Sequence, residues 1–111
     1  MNIEGLSSEE IKNKITKYCT EVTEMCDNEK RNSQDVYDVL LESNDWILAL
    51  GRIYEETNDR NIYDVLLILE EIKKSTENIV KEQTKGTKEK EKERVAEARK
   101  FASALLEKIS S

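Results

Sequence analysis

Residues 62–80 read IYDVLLILEEIKKSTENIV, the most apolar run in a chain otherwise crowded with charge. Within it Ile62, Val65, Leu66, Leu69, Ile72, Thr76, Ile79 and Val80 recur at three- and four-residue steps, which sets them on one face of an α-helix. Leu67 and Ile68 fall outside that face. An apolar arc this wide calls for more than one neighbour, so the segment reads as a central helix over 61–85 with the rest of the chain as its wrapping.

Composition keeps the other segments in the same class. At 111 residues the chain is long enough for one domain with a modest core and too short for two. It has no proline and three glycines, and it is rich in the strong helix formers Glu, Lys and Leu. Strand-like alternation is confined to short runs, so no sheet is expected.

Before the central run lie two helical patterns. Ser7-Ser8-Glu9-Glu10 fits a capping box, flanked by Leu6 and Ile11 as a hydrophobic staple. Ile11, Ile15, Tyr18, Val22 and Met25 follow at steps of 4, 3, 4 and 3, a narrow stripe that predicts a helix over 8–28 packing by one face. Residues 1–6 show no period and are expected to form a flexible N-terminus ahead of one helical domain, 7–111. The second pattern covers 34–57, with Ser43-Asn44-Asp45 in its middle. Ser43 there either caps a new helix or sits within one. The apolar register runs through it, which favours one long helix with room for a kink at 43–45.

An internal match supports that reading. Tyr37-Asp38-Val39-Leu40-Leu41 recurs as Tyr63-Asp64-Val65-Leu66-Leu67, and the same offset of 26 pairs Trp46 with Ile72 and Ile53 with Ile79. Either a helix was duplicated or two amphipathic helices converged; one pair is too few for a solenoid. Beyond the central run, Gly86 stops the helix and Thr87 can cap the next, which spans 88–109. Its first turns, KEKEKER, carry no apolar residue. Only from Val95 does a buried face emerge, through Ala98, Ala102, Leu105 and Ile109. Four helices joined by short polar links predict an all-α antiparallel four-helix bundle. The runner-up is a helical hairpin pair that completes its core as a homodimer.

Several chemistries find no residues here. Histidine is absent, which removes the usual general base, the usual zinc ligand and the Ser-His and Cys-His nucleophile pairs. There is no Gly-rich phosphate loop, no CxxC and no calcium-loop pattern. The reading is therefore a non-enzymatic chain with no catalytic residues, no cofactor and no metal. Cys19 and Cys26 lie on one helix, roughly 10 Å apart along its axis, too far for a mutual disulfide. They read as small core residues in a reducing compartment. With no signal-peptide pattern, no sequon and no membrane-length apolar run, the expectation is a cytoplasmic protein.

Charge supplies the functional signal. Residues 1–80 carry 9 basic and 18 acidic groups, whereas 81–100 carry 8 and 5, so the net −6 is concentrated in the first three helices. That balance argues against nucleic-acid binding. Asp35, Asp38, Glu42 and Asp45 stand at steps of 3, 4 and 3, an acidic ridge expected on the side of the second helix away from its apolar face. Like charges so spaced repel by a few tenths of a kcal/mol per pair, a cost that stability alone would relieve with lysine. Trp46, at the edge of the apolar arc, is either a core residue or a partner anchor. Gly51 inside the same helix hints at a close crossing or a kink. Lys81, Lys85, Lys88, Lys90, Lys92 and Arg94 form a basic pole interleaved with glutamates.

The expected function is a protein–protein interaction module. Its docking face would be the acidic surface of the second and third helices, with Asp35, Asp38, Glu42, Asp45 and Trp46 as partner-binding residues and a basic protein as partner. Two alternatives stay open: a small inhibitor, antitoxin or immunity protein acting by charge mimicry, and a structural homo-oligomer.

Overall fold

The computed structural model describes residues 1–111, which form four α-helices and no strand. The first three helices begin where a short polar side chain takes a free amide. α1 (Ser8–Asp27) opens on the expected capping box: the Glu10 amide donates to Ser7 Oγ and Glu10 Oε1 accepts from the Ser7 amide, both at 3.1 Å. α2 (Ser33–Thr57) opens on a second box, in which Asn32 and Asp35 exchange two bonds of 2.9 Å. α3 (Arg60–Lys85) is capped by Asp59, whose Oδ1 accepts from the Asn61 amide at 2.8 Å. It ends at Gly86, where φ is 72°, a left-handed conformation that suits a residue without Cβ.

α4 (Lys88–Ser110) departs from expectation at its start. Thr87 makes no side-chain capping bond, and its backbone (φ −91°, ψ 83°) lies outside the extended geometry of the other three caps. Glu89 and Glu91 in the first turn favour the helix dipole instead.

α2 runs unbroken through Ser43-Asn44-Asp45. Ser43 is fully buried, and its Oγ donates to the Val39 carbonyl at 2.8 Å. That uses its only proton, so the buried hydrogen bond to Tyr18 of α1 is donated by the tyrosine hydroxyl. The serine is satisfied inside the helix and does not start a new one.

The links at 28–32, 58–59 and 86–87 turn the chain back each time, giving antiparallel neighbours in a bundle of 43 × 22 × 21 Å. α3 packs most extensively, against α4 and α2, and α1 lies mainly against α4. α1 and α3 stand at opposite corners, with no Cα pair within 8 Å. The central run is thus covered by two helices rather than three. The seam between α1 and α2 is the most open of the four.

Leu69, Ile72 and Ile79 of α3 are fully buried and belong to one core cluster with Tyr18 and Val22 of α1, Val36 and Trp46 of α2, and Ala98 and Leu105 of α4. Ala98 and Ala102 are small enough for the close approach of α4 to α3. The core closes within a single chain, which leaves the dimeric hairpin alternative no open core to fill. Residues 1–6, expected to be flexible, form a turn in which Gly5 takes φ 79° and the Leu6 amide donates to the Ile3 carbonyl at 3.3 Å. Ile3 is buried in the core cluster. A single apolar residue has no period, so nothing in the sequence pattern marks this anchor.

Candidate functional site

Asp35, Asp38, Glu42 and Asp45 each directly precede a buried residue of α2, namely Val36, Val39, Ser43 and Trp46. One residue is about 100° of helix. The ridge therefore follows the flank of the buried stripe and not the far side of the helix, as the spacing alone suggested. That flank faces α1. Asp35, Asp38 and Glu42 line one wall of a cleft of about 370 Å³ whose other wall carries Glu21 and Glu24, with Met25 and Val39 also lining it. Asp45 stands apart, in a second cleft of about 300 Å³ with Arg52, Glu56 and the N-terminal segment. The acidic surface thus joins α2 to α1, and the expected partnership with α3 is not formed by these residues.

No ion pair within the chain neutralises Glu21, Glu24, Asp35, Asp38 or Glu42. Asp35 accepts the Asn32 amide, and Asp38 Oδ1 accepts from Gln34 Nε2 at 2.8 Å. Glu42 bears the crowding most directly. Burial, a hydrogen bond with Glu21 and repulsion from Glu21 push its carboxyl up to about 7, against a smaller opposing pull from Lys17. Lys17 is the cation that acts on this carboxyl, and it forms no ion pair there. Arg99 grips Asp27 through two bonds of 2.8 and 3.2 Å, and Arg31 meets Glu91 at 3.1 Å. Lys81, Lys85, Lys88, Lys90 and Lys92 are exposed around the α3–α4 turn.

Trp46 is 1% exposed and belongs to the core, which corrects its assignment as a partner contact. It continues the line of Val39, Ser43 and Leu50, all buried, so its ring fills the interior. The outer face of α2 carries a feature that the sequence reading passed over. Tyr37, Leu41 and Leu48 are 47%, 58% and 65% exposed and share one line along the helix. The signal is present in the sequence: Leu41 and Leu48 are out of register with the stripe 36-39-43-46-50, but the apolar residues that crowd this helix mask it.

No group of three or more His, Cys, Asp or Glu side chains is disposed to hold a metal ion, and no helix is long and apolar enough to cross a membrane. Cys19 and Cys26 are free and buried, and burial pushes their thiols up to about 12 and about 11. Comparison with protein-family models, curated proteins and solved structures finds no match to this chain.

Proposed function

We propose that this chain is a non-enzymatic protein–protein interaction module whose docking face is the acidic flank of α2 together with Glu21 and Glu24 of α1, and whose partner presents a basic surface. One observation carries the reading: five carboxylates from two helices share one cleft with no cation of the chain among them. Their repulsion weakens the seam it lies in. A partner's lysine or arginine placed in the cleft converts that cost into binding energy and speeds the encounter.

The test is chemical cross-linking in the native cell, comparing the wild-type chain with Asp38→Lys/Glu42→Lys after circular dichroism has shown equal helicity. The expected result is loss of the principal cross-linked partners on charge reversal, and binding to them in vitro that falls steeply with ionic strength. Partners retained unchanged by the reversed chain would refute the reading.

A further inference from the structure

The outer line on α2 is longer than its three exposed large side chains, continuing through half-buried Asn44 and Gly51. Tyr37, Leu41, Asn44, Leu48 and Gly51 follow one another at steps of 4, 3, 4 and 3, the seam spacing by which one helix packs along another. Nothing inside the molecule explains the glycine that ends it. A Cβ built on Gly51 meets no atom within 4 Å, so no element of the chain approaches it closely, and a helix-interior glycine weakens the helix. Gly51 is half-buried, with empty space where a Cβ would stand, and that space suits a backbone that arrives from outside.

The two borders of this line differ. Toward α3 the apolar surface continues through half-buried Leu40, Ile47 and Tyr54. Toward α1 and the N-terminal segment stand Asp38, Asp45 and Glu56, all exposed, with Arg52 the one cation on that border. α2 as a whole carries six acids against one arginine. A second copy of the chain would set that acidic helix against itself within two molecules of net charge −6. Its surface is complementary to the opposite charge.

From this we propose that the occupant is an amphipathic α-helix of another protein, apolar along the face laid on Leu41 and Leu48 and basic along the one border that meets Asp38 and Asp45. The inference rests on the interaction reading above and specifies the partner's form: helix on helix, with leucine-like anchors for affinity and one row of lysine or arginine for orientation. Gly51 lets the two backbones converge at one end of the contact.

Three labelled peptides of about 18 residues, five turns of helix, test it by fluorescence anisotropy against the full chain at physiological salt. The first is an amphipathic helix with leucines at helical spacing and lysines on one border, the second the same composition scrambled, and the third the first with glutamate in place of lysine. The amphipathic basic peptide is expected to bind at least about tenfold tighter than the other two, and Leu41→Ala/Leu48→Ala to remove about tenfold of that affinity with unchanged circular dichroism. Equal binding of the scrambled peptide, no effect of the alanine pair, or no binding of the amphipathic basic peptide overturns the proposal. So does a concentration-dependent dimer in light scattering that the alanine pair abolishes, since the face would then belong to a second copy. The broader reading fails separately. It is lost if neither basic peptide outbinds the acidic one and Asp38→Lys/Glu42→Lys changes nothing, and it survives if charge reversal abolishes binding that the alanine pair leaves intact.

Discussion

Glu42 shows how a single side chain carries the electrostatic state of its surroundings. Its carboxyl is pushed up to about 7 by burial and by Glu21, so between the ordinary carboxylate range and neutrality the folded chain holds a proton that the unfolded chain has released. Stability attached to this group is greatest at mildly acidic pH and declines as pH rises toward and through 7. Asp27 acts in the opposite sense. The hydrogen bond from Arg99 holds its carboxyl below 3.8, so its contribution is present above that value and fades in stronger acid. Denaturant unfolding followed by the fluorescence of Trp46 should therefore give a midpoint that rises as pH falls from about 8 to about 5. Glu42→Gln, which keeps the shape and removes the titration, should flatten that dependence and be the more stable protein at about pH 8. Parallel pH profiles for the two proteins would show that the carboxyl pair does not govern the seam. The acid residues themselves were legible as a row; their direction was not. Spacing places residues on a helix relative to one another, but the neighbour each flank meets is a fact of tertiary packing.

At the level of elements, helix limits were readable wherever a local signal closes on itself. The Ser7–Glu10 box and Gly86 each need only a few neighbouring residues to act, and both work as their spacing implies. Ser43 was ambiguous for the converse reason, because its choice between capping and back-bonding depended on Tyr18 from another helix. The repeated pentapeptide illustrates what a motif can and cannot specify. Val39 and Val65 are both buried, Leu40 and Leu66 both half-buried, and Leu41 and Leu67 both exposed, whereas Tyr37 and Asp38 are exposed and Tyr63 and Asp64 half-buried, so the last three residues take the same orientation twice and the first two do not. Gly51 yields a sharper test. Because a Cβ there meets open space and its φ is helical, Gly51→Ala should stabilise the free chain by up to about 1 kcal/mol. Gly86→Ala, at φ 72°, should instead cost about 1 kcal/mol through left-handed strain. Equilibrium unfolding in guanidinium measures both, and substitutions of equal sign would contradict the assignment of one glycine to an open face and the other to a helix stop.

Taken as a whole molecule, the bundle is unevenly bound. α3 is gripped along its length by α4 and α2, and Leu69, Ile72 and Ile79 reach complete burial there. α1 shares one extensive interface, with α4, and its seam with α2 combines sparse packing with five mutually repelling carboxylates. The buried Tyr18–Ser43 hydrogen bond crosses this seam. Local opening follows the weakest cooperative boundary rather than an average over the fold. Native-state hydrogen exchange should accordingly show the amides of α3 and of α4 from Val95 onward opening only with global unfolding, whereas α1 amides exchange through a partial opening of lower free energy. That difference should narrow as pH is lowered through about 7, where Glu42 takes up its proton and the repulsion across the seam falls. It should also narrow when a basic partner fills the cleft, since binding to the closed seam stabilises it by mass action. If α1 and α3 exchange with the same free energy at every pH, the cleft is no weaker than the rest of the bundle, and the energetic reason for assigning it a cationic partner disappears.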